Sequence, residues 1–175
     1  KSPSVGATEN ILLAAVKATG DTVITGAARE PEVIALCEFL TACGASIEGM
    51  GSPELIIHGG GDLHGTRYTV PTDRIVAGTY LFGCIGCGGS VLLNQAPWSQ
   101  MEAVTVAAER MGAQCTVSEE GLFVQAPVRP KSIGHLQTGP YPEFPTDLQS
   151  AAMAVLTMAE GISYIEENIF ENRYR

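Results

Sequence analysis

Asp147 is the acidic residue whose position best suits it to proton transfer. It lies in residues 146–149, Thr-Asp-Leu-Gln, which have the form of a capping box with Thr146 as N-cap and Gln149 at the third helical position. A carboxylate in the first turn of a helix is held ionised by the helix dipole, and it can then accept the proton of a substrate hydroxyl. The alternative interpretation is an acid that only stabilises the start of its own helix.

Two further segments carry groups that suit the binding of anions. Ser4, Val5 and Gly6 begin a predicted helix, where backbone N–H groups and the positive end of the helix dipole favour a phosphate. The simpler interpretation is that Ser4 caps its helix. Arg173 follows a predicted strand near the end of the chain, and a guanidinium there could hold a carboxylate or phosphate through two parallel hydrogen bonds.

Metal and cofactor sites are not predicted. Cys84 and Cys87 have the spacing of half a zinc site, but no second pair follows and the segment has a helical pattern, which favours two core cysteines. Three histidines have neither a cysteine nor a carboxylate at ligand spacing, and these are His58, His64 and His135. We therefore expect no metal and no cofactor.

The composition indicates a folded chain with no nucleic-acid or membrane partner. Of the 175 residues, 45% are hydrophobic and 17% are charged, which is within the range of globular proteins. Nineteen acids against ten Lys and Arg give a net charge of −9, which opposes binding to a phosphate backbone. The uncharged stretch 75–101 is interrupted by glycines and never reaches the roughly 20 apolar residues of a spanning helix.

The five cysteines point to a reducing compartment. Their number is odd and most lie within apolar patterns, which predicts buried free thiols rather than disulfides. We therefore expect a cytoplasmic protein. The sequence begins with Lys1 and has a helix-start signal two residues later, so we also expect it to be a piece of a longer protein.

The elements that must position these residues recur along the chain. A Pro followed by Ser or Thr precedes a helical pattern at Pro3, Pro71 and Pro145, with spacings of 68 and 74 residues. A strand-like segment follows each helix at the same spacing, at residues 22–25, 90–93 and 164–165. The pattern therefore predicts an α/β chain of repeated βαβαββ units.

Within a copy, the pattern predicts a second helix and a pair of short strands. In the first copy the helix covers 32–43 and the strands cover 46–48 and 54–58. The second copy has matching strands at 114–117 and 122–125, and a short strand at 66–70 is expected to lead into the helix at 75–87. The helices at 7–18 and 75–87 are apolar nearly all round, which places them in the middle of the assembly.

Five motifs, in order over the whole chain, resemble the enolpyruvyl transferase family in its UDP-N-acetylglucosamine branch. They are residues 3–10, 28–32, 73–75 with 78–79, 144–149 and 170–173. The resemblance implies an inside-out α/β barrel, in which two domains of three βαβαββ units each have helices inside and sheets outside. On this basis residues 1–70 are the last unit of one family domain. Residues 71–175 are the first part of the other, with one full unit and the start of a second.

The same resemblance implies a reaction and its site residues. The reaction is transfer of the enolpyruvyl (1-carboxyvinyl) group from phosphoenolpyruvate to the 3-hydroxyl of UDP-N-acetylglucosamine, the first committed step of peptidoglycan synthesis. Asp147 is implied to face that hydroxyl as the base, Ile169 to touch the nucleotide sugar by its backbone, and Arg173 to face phosphoenolpyruvate. Ser4, Val5 and Gly6 are implied to lie along the nucleotide diphosphate.

Other members of the family's catalytic set do not occur among these residues, including its loop with a reactive Cys or Asp. The chain alone is therefore expected to be inactive and to need the remainder of the same enzyme. Asp73 and Arg74 match the family pattern and are expected to have a structural or interdomain role before a chemical one. Two alternatives remain open: a shikimate-pathway enolpyruvyl transferase, and a noncatalytic repeat module in which Asp147 and Arg173 are only a helix-end acid and a surface base.

Overall fold

A glycine or a proline lies at or near an end of most of the helices and strands of this chain. The computed structural model describes residues 3–174, and their packing divides the chain after Pro71 into two compact units, one N-terminal and one C-terminal. Both units mix helices with strands, so the predicted α/β class is confirmed. Each unit has its own hydrophobic core.

The N-terminal unit contains two helices and a three-stranded sheet. Its elements are α1 (Val5–Ala15), β1 (Asp21–Thr25), α2 (Pro31–Ala42), β2 (Ser46–Glu48) and β3 (Glu54–His58). The sheet order is β1-β3-β2 with both pairings antiparallel. Leu12 of α1, Cys37 of α2 and Ile57 of β3 are fully buried and meet in the core between the helices and the sheet.

Helix α2 shows how local sequence and packing agree. Pro31 occupies the first turn, where its missing N–H leaves no hydrogen bond unmade. Val33, Cys37 and Leu40 recur at helical spacing and are buried, and the helix ends before Gly44, whose φ of +102° places it in the left-handed region. The helix and strands predicted for this copy are therefore confirmed.

The C-terminal unit repeats this order of elements and adds a parallel pair of strands. Its first part is α3 (Arg74–Cys87), β4 (Ser90–Asn94), a 3-10 turn (Trp98–Gln100), α4 (Glu102–Arg110), β5 (Gln114–Ser118) and β6 (Gly121–Gln125). The sheet order is β4-β6-β5, again antiparallel. β7 (Gly134–Gln137), a 3-10 turn (Thr146–Leu148), α5 (Gln149–Leu156) and β8 (Ser163–Glu166) follow, and β7 pairs with β8 in parallel.

The predicted strand over 66–70 is wrong. Within the described chain these residues belong to no helix or strand. Tyr68 contacts helix α2 instead of a strand. Its hydroxyl donates to the Glu38 carboxylate at 3.1 Å, and its ring packs edge-on against that of Phe39, with 5.6 Å between the centroids. The segment therefore follows the surface of α2 through one anchored side chain instead of adding to the sheet.

The prediction of buried thiols is only partly correct. All five cysteines are free, but only Cys37 is fully buried, and Cys87 at the end of α3 is exposed. The interpretation of Cys84 and Cys87 as two core residues is therefore wrong for Cys87, because the last residue of α3 lies beyond the part that packs on the sheet. Burial raises the pKa of the Cys37 and Cys115 thiols to about 11.

The described helices are all too short or too polar to cross a lipid bilayer. Helices α1 and α3 each bury one face within their own unit and expose apolar side chains elsewhere. The exposed ones are Ile11 and Leu13 on α1, and Val76 and Tyr80 on α3.

Gly78 is the position at which α3 packs most closely against the segment that carries Asp147. A Cβ atom there would overlap with the side chain of Leu148, which is fully buried and has little room to move. We expect Gly78→Ala to lower the free energy of unfolding by about 2 kcal/mol, the size of a typical overpacking effect.

Gly83 in the same helix is the matched control. It is exposed, and a Cβ there meets no atom within 4 Å, so Gly83→Ala is expected to raise the stability by up to about 1 kcal/mol through helix propensity. Urea denaturation followed by the fluorescence of Trp98, the single tryptophan, reports on this unit. Equal effects of the two changes would contradict the close packing at Gly78.

Candidate functional site

The parallel pair β7 and β8 brings two distant segments to one edge of the C-terminal unit. The register runs from Gly134 opposite Ser163 to Gln137 opposite Glu166, so the chain leaves both strands on the same side. One of these segments leads to Asp147, and the other contains Ile169 and Arg173. Ligands of α/β folds bind at this edge, beyond the carboxyl ends of parallel strands.

The segment after β7 is held in place by its own backbone and by buried aromatic packing. Thr138 is fully buried, and the N–H of Gly139 donates to the carbonyl of Phe144 at 3.0 Å. Phe144 is buried against the ring of Phe82, with 6.1 Å between the centroids. These contacts fix the start of the 3-10 turn in which Asp147 is exposed.

The capping box predicted at residues 146–149 is wrong. A 3-10 turn precedes α5, so Gln149 is the first residue of the α-helix and Pro145 is the N-cap of the turn. The Thr146 hydroxyl donates to the Oε2 atom of Glu167 at 2.9 Å instead of capping. The Nε2 of Gln149 donates to the hydroxyl of Tyr174 at 3.0 Å, so both polar side chains reach the segment after β8.

Glu167 organises the segment after β8. Its Oε1 atom accepts the N–H of Ile169 at 2.9 Å and the N–H of Phe170 at 3.1 Å. The neighbouring Asn168 donates its N–H to the Thr138 hydroxyl at 3.0 Å and its side-chain amide to the Thr138 carbonyl at 3.2 Å. The two segments at this edge are therefore joined by hydrogen bonds to one carboxylate and one buried threonine.

The electrostatics of Glu167 follow from these bonds. Partial burial would raise the pKa of the carboxyl, but hydrogen bonds from Ile169, Phe170, Thr146 and Thr138 together lower it below its usual range. The carboxylate is therefore ionised at neutral pH. Partial burial, together with the negative charge of Glu167, raises the pKa of Tyr174.

Ile169 and Arg173 line an open depression of the surface that is formed by the consecutive residues 169–173. The Arg173 guanidinium lies 5.4 Å from the centroid of the Phe170 ring, a cation–π contact that orients the charge. Both predicted residues are half-buried. Ile169 and Arg173 thus lie in one short segment of the chain, and the hydrogen bond from Thr146 to Glu167 joins this segment to the one that carries Asp147.

Ser4, Val5 and Gly6 lie in the N-terminal unit, at the start of α1. The Ser4 hydroxyl accepts the N–H of Ala7 at 3.3 Å, so the predicted cap is present. Thr8, which is buried, donates to the Ser4 carbonyl at 2.9 Å and accepts the N–H of Ala28 at 3.0 Å. Gly6 is exposed with open space around its α-carbon, so no packing within the unit requires a glycine there.

Asp73 and Arg74 both make structural contacts within the C-terminal unit. The Asp73 carboxylate accepts the N–H groups of Ile75 at 2.7 Å and Val76 at 3.2 Å and so caps α3. The Arg74 side chain is buried, with its guanidinium 5.4 Å from the centroid of the Tyr141 ring. In residues 3–174, no three His, Cys, Asp or Glu side chains come together as a metal site would require.

His58 has two acidic partners that the sequence analysis missed. Its Nδ1 lies 2.9 Å from the Asp21 carboxylate and its Nε2 lies 3.3 Å from that of Glu48. The acids come from β1 and β2, on either side of β3. The separations in sequence are 37 and 10 residues, so only knowledge of the strand order could have indicated the cluster.

The fold is shared with an enzyme of known structure. The crystal structure of the enolpyruvyl transferase NikO from Streptomyces tendae matches 97% of this chain and 40% of its own length, with a TM-score of 0.82 and 23% identity. The model of the family described as EPSP synthase (3-phosphoshikimate 1-carboxyvinyltransferase) matches residues 1–175. The chain belongs to this family.

Its curated relatives carry a more specific name. Proteins named UDP-N-acetylglucosamine 1-carboxyvinyltransferase from Zymomonas mobilis and Novosphingobium aromaticivorans are 48% and 47% identical over 171 and 173 residues. A protein of the same name from Nitratidesulfovibrio vulgaris is 44% identical over 172 residues. These matches cover 98% of this chain but only 40% to 41% of each relative. The chain thus spans about two fifths of the length of these relatives.

The two carboxylates beside His58 make a testable electrostatic prediction. The hydrogen bond to Asp21, followed by that to Glu48, raises the pKa of the imidazole above its usual value. The protonated ring is thus favoured in the folded state. Its contribution to stability is complete below the unfolded pKa and is lost as the pH rises through the raised folded pKa.

We expect an NMR titration of His58 to give a raised pKa, and Asp21→Asn to bring it back toward the ordinary value. The control is Glu54→Gln, at the other end of β3 from His58, and this change is expected to alter the His58 pKa little. A His58 pKa that is identical with and without the Asp21 carboxylate would contradict this assignment.

Proposed function

We propose that this chain is part of an enzyme that transfers the 1-carboxyvinyl group of phosphoenolpyruvate to the 3-hydroxyl of UDP-N-acetylglucosamine. The observation that carries the proposal is the set of relatives of that name at 44% to 48% identity over 98% of the chain. They favour the UDP-sugar over shikimate 3-phosphate as the acceptor. The reaction would be the first committed step of peptidoglycan synthesis, and it would take place in the cytoplasm.

The two compact units would belong to different domains of the whole enzyme. Residues 1–70 would complete one domain, and residues 71–175 would begin the other as one full βαβαββ unit and the start of a second. The shared sheet orders β1-β3-β2 and β4-β6-β5 support such a repeat. In an inside-out barrel, the apolar side chains that α1 and α3 expose in this chain would face other helices.

Asp147 would act as the base at the acceptor hydroxyl. The proton of the 3-hydroxyl passes to its carboxylate as the oxygen forms a bond to C2 of phosphoenolpyruvate. An acid from outside this chain protonates the methylene carbon, and the tetrahedral intermediate then loses phosphate together with a proton from the resulting methyl group, which restores the C=C bond of the product. The exposure of Asp147 at the edge beyond β7 and β8 supports this role, because a substrate can reach it there.

The binding groups would divide between the two substrates. Ile169 would contact the nucleotide sugar by its backbone, and Arg173 would face the anionic phosphoenolpyruvate. Ser4, Val5 and Gly6 would lie along the nucleotide diphosphate. The open space at Gly6 supports this last role, since glycine in a helix is otherwise unfavourable by about 1 kcal/mol relative to alanine.

Asp147→Asn in the longer enzyme tests the base directly. The change keeps the shape of the side chain but removes its capacity to take a proton, so we expect turnover to fall by about 10² or more. The melting temperature is expected to change little, since asparagine also suits a helix start. Glu119→Gln, at the exposed hairpin between β5 and β6, is the control acid. Near-normal steady-state turnover of Asp147→Asn would overturn this role.

Gly6→Ala separates binding from folding at the start of α1. An added methyl group meets no atom of this unit within 4 Å, so stability is expected to stay the same or rise by up to about 1 kcal/mol. If the diphosphate approaches this backbone, the KM for UDP-N-acetylglucosamine should rise about tenfold while the KM for phosphoenolpyruvate is unchanged, an effect of about 1.4 kcal/mol. An unchanged KM for the nucleotide sugar would place the diphosphate elsewhere.

A further inference from the structure

We propose that Glu167 is a positioning residue that holds the base and the sugar-contacting backbone in one arrangement. The inference rests on the proposed function for the roles of Asp147 and Ile169. Glu167 itself is not assigned to contact either substrate. Its role is to connect the two segments that do.

The geometry of the carboxylate carries the inference. Its Oε2 atom accepts the hydroxyl of Thr146, the residue directly before Asp147. Its Oε1 atom accepts the N–H groups of Ile169 and Phe170. One side chain on the β8 side thus holds the backbone next to the base, 21 residues away in sequence, together with its own following turn.

The same bonds set the direction of the Ile169 carbonyl. In a trans peptide unit the C=O and N–H groups point in opposite directions. Because the Phe170 N–H points at Glu167, the Ile169 carbonyl points away from that carboxylate. The group proposed to contact the sugar is thereby given a fixed direction by Glu167.

An ionised carboxylate suits this role better than other side chains. Both of its oxygens are acceptors. Two N–H groups donate to one oxygen, and hydroxyl groups also donate to the carboxylate. A glutamine keeps the length but places an NH₂ group where one oxygen accepts. The NH₂ group of the glutamine would then face another hydrogen-bond donor. The hydrogen bonds that remain would be to a neutral oxygen and therefore weaker than those to the carboxylate.

Kinetics on the longer enzyme test the proposal. We expect Glu167→Gln to lower kcat/KM for UDP-N-acetylglucosamine at least tenfold while the KM for phosphoenolpyruvate changes less than twofold. Glu166→Gln is the matched control, because the neighbouring carboxylate pairs with His135 at 3.1 Å instead. A purely structural role would instead lower the melting temperature and raise both KM values together.

A double-mutant cycle tests the connection from its other end. Thr146→Val removes the hydroxyl that donates to Glu167, so it should reproduce part of the Glu167→Gln effect. The double variant should then be no more than about twofold worse than Glu167→Gln alone, since both changes break the same connection. Fully multiplicative effects on kcat/KM would overturn the inference.

Two further measurements separate this inference from the proposed function. Amide hydrogen exchange at Ile169 and Phe170 should be at least tenfold faster in Glu167→Gln. This measurement does not depend on catalysis, and unchanged exchange would overturn the inference. If Asp147→Asn loses turnover while Glu167→Gln stays within twofold of normal, the positioning role fails and the proposed function stands. If Asp147→Asn keeps normal turnover, the assigned base fails whatever Glu167 does.

Discussion

The parallel pairing of β7 with β8 is the constraint on which the candidate site depends. Four residues of each strand fix the register, and the chain leaves both at the same edge. Residues 138–145 and 167–174, which follow the two strands, form no helix or strand and share in only one isolated bridge, between Thr138 and Phe144. The side chains of the buried Thr138 and the ionised Glu167 supply acceptors for this irregular backbone, to which the N–H groups of Asn168 and Ile169 donate.

Apolar packing of the residues next to Asp147 also fixes its position. Leu148 follows it directly, is fully buried, and lies against Gly78 of α3. Phe144, three residues before Asp147, is buried against Phe82 of the same helix. The exposed acid thus lies in a short turn that is anchored in the core on both sides. These anchors restrict the movement of the turn.

The sequence predicted most helices and strands, because their signals are local. Val33, Cys37 and Leu40 recur at helical spacing, and glycines mark the turns, so α2 and the strands after it could be located. The segment 66–70 has the composition of a strand, yet Tyr68 packs on α2, and composition carries no information about such a competing contact. For the same reason the capping box failed, because Thr146 bonds to a residue 21 positions away.

The candidate site was predictable only in part. Asp147, Ile169 and Arg173 were singled out through motifs, whereas Glu167 and the acids beside His58 were not. Glu167 stands beside Glu166 in the sequence, and nothing local distinguishes an acid that accepts two backbone N–H groups from one that pairs with a histidine. These roles arise from strand pairing, which the residue pattern alone does not specify.

The sheet orders have a consequence for how each unit is assembled during synthesis. In both sheets the strand that is last in sequence, β3 or β6, occupies the centre. Until it leaves the ribosome, β1 or β4 has no hydrogen-bonding partner in its own sheet, and β2 or β5 has none either. A nascent chain that stops before Glu54 contains two strands of the first sheet but no sheet at all. Both pairings of each sheet therefore require its central strand, and neither can form before that strand has been synthesised.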